Sequence, residues 1–278
     1  EGSVRKGGQR VRITAQLIDA EQDHHLWSEK WDKNLEDIFD IQDEVSASIA
    51  AQINPTLEDY ERERIERVKP TNYNAWETYL KSLQIFNNRN PSDHEDIELK
   101  KALSLCEKAI KLDDSMSHAY SLLAKICEWE LLQFTTEDSK KTLNEMLSYG
   151  KKAEELDSKN PIAAYNIARH YFFSGKFEQA KFYSERAIQL NPSYPDAQNI
   201  LGQSLVHSGK FAESEKHFHK AIELNPLDPN AILYKDGLYF AQMGLGNYEM
   251  AYLLIEECIS QFSKAGFYKG FRAAVLGY

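Results

Sequence analysis

The chain repeats itself with a period of 34 residues. Residues 161–194, PIAAYNIARHYFFSGKFEQAKFYSERAIQLNPSY, align without a gap on residues 195–228, PDAQNILGQSLVHSGKFAESEKHFHKAIELNPLD. Gly175-Lys176-Phe177 returns as Gly209-Lys210-Phe211, and Ala187-Ile188-Gln189-Leu190-Asn191-Pro192 returns as Ala221-Ile222-Glu223-Leu224-Asn225-Pro226. A fixed period of this length predicts stacked supersecondary units, because one such unit cannot bury its apolar face alone. Small residues recur at Ala168 and Gly202, at Ala180 and Ser214, and at Ala187 and Ala221. They let paired helices approach closely, and the larger residues beside them fill the space. Each Asn-Pro ends a helix, since the residue before proline is pushed out of helical geometry. Each Gly-Lys-Phe makes the turn between helices, with glycine free to take a positive φ.

These lines resemble the tetratricopeptide repeat (TPR), a helix–turn–helix unit of this period. The family pattern falls on Ile167, Ala168, Tyr171, Ala180, Ala187 and Pro192, and again on Leu201, Gly202, Leu205, Phe218, Ala221 and Pro226, with Ser214 in place of a small alanine. Extended outward, the pattern predicts a mainly α fold: a TPR helical-hairpin solenoid over residues 70–278, preceded by a small α/β segment. About five repeats and a partial sixth are expected, near 73–114, 117–158, 161–194, 195–228, 229–265 and 266–278. The first two are longer than the period. An insertion of about nine residues around Asn87 to Asp93 separates Trp76, Tyr79, Leu80 and Leu83 from Ala102, Cys106 and Ala109. Extra residues around Leu132 to Asp138 lengthen the second. In the fifth, Gly246-Asn247-Tyr248-Glu249-Met250-Ala251 repeats Gly175 to Ala180, delayed by Met243-Gly244-Leu245, and Cys258 stands where Ala187 does. Phe267 to Tyr278 reads as helix A of a sixth unit.

The first 55 residues follow another rule. Ser3-Val4-Arg5 reads as a strand and Lys6 to Gln9 as a hairpin turn. Arg10 to Asp19 alternates, with Val11, Ile13, Ala15 and Leu17 on one face, the period of a half-buried strand. Ala20 to Asp23 turns the chain into a third strand from His24 to Trp31, with Trp27 and Trp31 on one face. Apolar residues at helical spacing from Leu35 to Ile53 predict one helix. Residues 56–69, TLEDYERERIERVK, read as a charged, solvated helical linker. A hairpin and one helix make a poor independent sheet. The stretch resembles a segment found before TPR arrays in bacterial multidomain signalling proteins. There it completes an α/β domain similar to the N-terminal domain of the protein TolB. Glu1-Gly2-Ser3-Val4-Arg5, Ala15-Gln16-Leu17-Ile18-Asp19 and Leu26-Trp27-Ser28-Glu29 carry that resemblance. The opening begins inside this pattern, and the array stops without the polar cap that solenoids carry. The expectation is a fragment at both ends.

Composition narrows the function classes. Acidic residues outnumber basic ones, giving a net charge of -10, and no Lys/Arg run stands out, which argues against a nucleic-acid surface. No apolar run reaches the length of a membrane span. Cys106, Cys127 and Cys258 fall on core positions of the repeat and match no zinc or redox spacing, so they read as small buried residues in a reducing, cytoplasmic compartment. There is no phosphate loop, nucleophile elbow or zinc-binding helix motif. His217 and His219, two apart on a helix, point to different faces. No catalytic, cofactor or metal site is expected.

What remains is a surface. The A helices of stacked units line a groove. Position nine of each A helix gives Lys81, Lys125, Arg169 and Gln203, and Tyr165, Asn166, Phe172, Asn199 and His207 neighbour it. Three cations in register predict capture of an acidic or C-terminal segment of a protein or peptide. The alternative reading is a set of ordinary solvated helix residues with local acidic partners.

The resemblance implies a regulatory, non-catalytic part of a signalling protein, most often a class III adenylate or guanylate cyclase. Such cyclases form their active site between two catalytic domains, so an array that forms a homodimer would act by proximity. A winged-helix transcription regulator or a free-standing TPR scaffold are the alternatives.

Overall fold

The computed structural model describes residues 1–19, 22, 24–34, 38–53, 72–89, 97–133, 135–226, 231–261, 271–275 and 277. The expected linker helix at 56–69, most of the turn at 20–23, most of the insertion after Asn88 and the start of the sixth unit lie outside them. The chain divides into two compact units, residues 1–73 and 74–278.

The first unit is a three-stranded antiparallel meander, β1 (Gly2–Gly7), β2 (Arg10–Asp19) and β3 (His24–Asn34), with helix α1 (Ile38–Ile53) against β2 and β3. Gly7 pairs with Arg10, so the hairpin closes through Gly8 and Gln9. Gly8 has φ 60°, a conformation that short hairpin turns demand and glycine adopts without strain. β1 and β3 are both longer than their apolar residues indicate, because backbone pairing carries on where the side chains are exposed. The alternation in β2 holds: Val11 and Ala15 are buried and Arg10 and Arg12 are exposed, where both guanidinium groups bond Asp32 of β3. Trp31 is buried beside Trp27, ring centroids 6.2 Å apart.

The second unit is a stack of helical hairpins. Its A helices are α2 (Tyr73–Asn88), α4 (Ser117–Leu132), α6 (Pro161–Phe173), α8 (Pro195–His207) and α10 (Ala231–Leu245). Its B helices are α3 (Ile97–Leu112), α5 (Ser139–Leu156), α7 (Phe177–Leu190), α9 (Phe211–Leu224) and α11 (Tyr248–Gln261). From α4 onward each helix packs on the next, and A helices also touch the A helices of adjoining repeats. The contact points are the small residues. Ala75, Ala119, Ala163 and Ala197, third in their A helices, are fully buried. So are Ala109, Ala153, Ala187, Ala221 and Cys258, which share one position of the B helices. All three cysteines are free and buried, and burial pushes each thiol up to about 12.

The turns repeat as closely as the helices. Gly175, Gly209 and Gly246 have φ of 69°, 73° and 77°. In each turn the glycine N–H donates to the carbonyl three residues back, and the next N–H reaches the carbonyl five back: Lys176 to Tyr171, Lys210 to Leu205 and Asn247 to Gln242. These bonds satisfy carbonyls that a helix end leaves open. The delay in the fifth repeat is absorbed as helix: α6 and α8 end two residues before their turn glycines, at Phe173 and His207, whereas α10 runs on to Leu245, directly before Gly246. Residues 271–275 are helical, and Val275 and Phe271 pack into the apolar cluster of α10 and α11.

Candidate functional site

Helical spacing puts residues four and seven apart on one stripe. On α6 that stripe holds Tyr165, Arg169 and Phe172; on α8, Asn199, Gln203 and Val206; on α10, Leu233, Gly237 and Phe240. These nine are equivalent positions of three repeats. Together with Glu128 and Leu132 of α4 and residues beside the stripes, they line a cavity of about 340 Å³ on the A-helix face. Six of the residues expected from sequence are there: Tyr165, Arg169, Phe172, Asn199, Gln203 and His207. Two of the lining residues, Phe172 and His207, form an aromatic cluster with Phe177, which stacks on His207 at 4.4 Å.

Three expected residues lie elsewhere. Asn166 is fully buried between α4 and α6, and its Nδ2 donates to the Ser121 carbonyl at 2.8 Å. It belongs to a polar seam rather than to a groove. In the same seam Asn160 caps α6, accepting from the N–H groups of Ile162 and Ala163, and donates to Ser117 and Ser121. Lys81 is exposed and pairs with Glu77 one turn back on its own helix. Lys125 does not line the cavity; its Nζ lies 3.3 Å from Asp196 Oδ2.

The register of cations is therefore not a free positive stripe. Arg169 Nε sits 2.6 Å from Glu128 Oε1, its Nη1 donates to Gln203 Oε1 at 3.4 Å, and its guanidinium lies over Phe173. Tyr165 Oη donates to both oxygens of Glu128 at 2.9 and 3.1 Å. Burial is the largest influence on Arg169 and works against its charge, but the groups around it, Glu128 first and then Tyr165 and Asp196, together outweigh it and hold the guanidinium charged. Asp196, between Lys125 and the Tyr234 hydroxyl, is also engaged. The carboxylate partners escape a sequence reading because Glu128 precedes the insertion of the second repeat, so no fixed period links it to Arg169.

One residue of the cavity carried a signal that the spacing makes visible. Asp236 lies one 34-residue period beyond Gly202 and two beyond Ala168, where both of those repeats hold a small packing residue. Its neighbour Gly237 takes the close approach instead: a Cβ there would lie 2.2 Å from Phe218. Asp236 is left facing the cavity. Its Oδ1 is buried with no hydrogen-bond partner, and burial pushes the carboxyl up to about 6.

A stack of helical hairpins with these turns, and a cavity built from successive A helices, defines a tetratricopeptide-repeat fold. The tetratricopeptide-repeat family models match residues 162–194 and 195–228. The structure of a thermophilic TPR protein in Thermus thermophilus superposes with a TM-score of 0.53, at 17% identity, covering 73% of this chain and 100% of that one. A TPR protein from Parabacteroides merdae ATCC 43184 gives 0.47 at 19% identity, covering 73% of each chain. In sequence, the chain is similar to "Putative adenylate cyclase 3" of Rhizobium meliloti (strain 1021), 28% identical over 181 residues. That match takes in 65% of this chain and 30% of the relative, so the chain spans under a third of that protein's length. Among the described residues no helix is long and apolar enough to cross a membrane.

Proposed function

We propose that the chain is the interaction and regulatory region of a multidomain signalling protein, a class III adenylate or guanylate cyclase, working in the cytoplasm. The array captures a segment of a partner protein on its A-helix face, and the N-terminal α/β segment fixes the position of the output domain. The observation that carries the capture step is the cavity of about 340 Å³ lined by four successive A helices, with Phe172 and His207 in contact on its wall. A cavity of this size with a few convergent polar groups is a natural binding site. Two observations support the cyclase context: the wording of the first 53 residues, and the relative of which this chain covers 30%. Pairing of two arrays would couple capture to output in an enzyme whose active site forms between two catalytic domains.

The test is to obtain the coding sequence that adjoins this region and to express the protein with and without residues 70–278. Cyclic nucleotide formation that changes when the array is removed is the expected result. An adjoining winged-helix domain, or a cyclase indifferent to the array, overturns the reading.

A further inference from the structure

The charge lining the cavity has the opposite sign to the one its position-nine residues suggest. Among the described residues three carboxylates line it, Glu128, Asp196 and Asp236, against one guanidinium, that of Arg169. Arg169 and Glu128 neutralise each other, and Lys125 from outside the cavity neutralises Asp196. Asp236 is the charge left over. Its Oδ1 is buried and bonds nothing. A second open group lies one repeat back. Asn199 is 7% exposed, lines the same cavity, and its Oδ1 is also buried without a partner. Both open atoms are acceptors, and a buried acceptor without a donor is costly.

The surroundings define the donor. Phe172, Leu233 and Phe240 give the cavity an apolar wall. Among the described residues no three His, Cys, Asp or Glu side chains converge as a metal site requires. A cation with an apolar stem fits; an acidic side chain would meet three carboxylates and, among the described residues, no free positive charge.

We propose that, on the capture reading above, the cavity anchors a basic side chain, lysine or arginine, of a partner peptide, its charged head on Asp236 and Asn199 and its stem against Phe172, Leu233 and Phe240. The upward shift of the Asp236 carboxyl is what a buried acid shows while its counter-charge is absent. Asp236, standing where the three preceding repeats hold Ala124, Ala168 and Gly202, then supplies the charge of the anchor, and Asn199 of the adjoining repeat supplies its second acceptor.

The experiment is to pan a random peptide display library on the whole chain and to titrate a selected peptide. The expected result is enrichment of a lysine or arginine flanked by apolar residues. Replacing that residue by norleucine should lower affinity about tenfold or more, the usual scale for a charge-assisted hydrogen bond. On the Asp236→Asn protein the basic and norleucine peptides should bind alike. The norleucine comparison on unaltered protein tests the anchor even if Asp236→Asn folds poorly. Enrichment of acidic or uncharged motifs, or basic peptides indifferent to Asp236→Asn, overturns the anchor and leaves peptide capture standing. A library that enriches nothing overturns both.

Discussion

Arg169 on α6 and Glu128 on α4 meet at 2.6 Å with only 7% and 11% of their side chains exposed. Two charges from adjoining repeats are locked together inside the face on which a partner would sit. Removing one leaves the other buried and uncompensated. Arg169→Met or Glu128→Gln alone should therefore destabilise the array by roughly 3–5 kcal/mol, while Arg169→Met with Glu128→Leu should fall close to the wild type. Urea unfolding of the four proteins checks this. Arg169→Glu would place two carboxylates together, so its first effect is on folding rather than on peptide capture.

The close approach at Phe218 gives a prediction of unusual sign. Gly→Ala inside a helix ordinarily gains about 1 kcal/mol. Here a Cβ at Gly237 would lie 2.2 Å from the Phe218 ring, and one at Gly202 2.7 Å from it; that ring is fully buried. Gly237→Ala should lose about 1–3 kcal/mol by overpacking. Thermal melts should show a lowered Tm, recovered when Phe218→Leu is added.

The turn glycines are sensitive for a different reason. At Gly209 a Cβ has open space, but φ is 73°. Gly209→Ala should cost about 1 kcal/mol from backbone conformation alone. No compensating substitution in the core should restore it, which a melt of Gly209→Ala with and without Phe218→Leu would reveal.

Asp236 makes stability depend on pH. Its carboxyl sits at about 6 in the fold, above the 3.8 of a free side chain, so the fold prefers the protonated acid. That preference favours folding at low pH and is lost as pH rises through about 6. The groups that share its surroundings are Glu128, Arg169, Asp196 and His207 across the cavity, with Tyr239 and Cys258 coupled to it. Asp236→Asn should be the more stable protein at pH 7.5 by on the order of 2 kcal/mol, and the gap should narrow at pH 5. Urea titrations at the two pH values measure it.

The repeat itself was open to reading because its physics is local. Gly175 and Gly209 need positive φ, each Asn-Pro stops a helix, and Ala187 and Ala221 must be small, whatever else the chain does. The face of the groove was also readable, since Tyr165, Arg169 and Phe172 share one helical stripe. What stands opposite each side chain was not. Glu128 reaches Arg169 across an irregular repeat, and Asn166 turns to the Ser121 carbonyl although it adjoins the groove residue Tyr165. Three cations in register look like a positive surface until their partners are placed in space. Asp236 was readable in principle, as a charge one period beyond Gly202, but Gly237 beside it masks the break in the pattern.

The recurrence of one turn has a consequence for descent. Residue 195 and residue 229 are both proline, so excising residues 195–228 joins Tyr194 to a proline just as before. A slip of one period in the gene would leave a seam like those already present, and the stack could grow or shrink by whole units. The cavity could not, for it draws on four A helices at once and would lose Asn199 with the excised unit. Length in this array is cheap to change in a lineage; the place where it holds something is tied to one particular order of repeats.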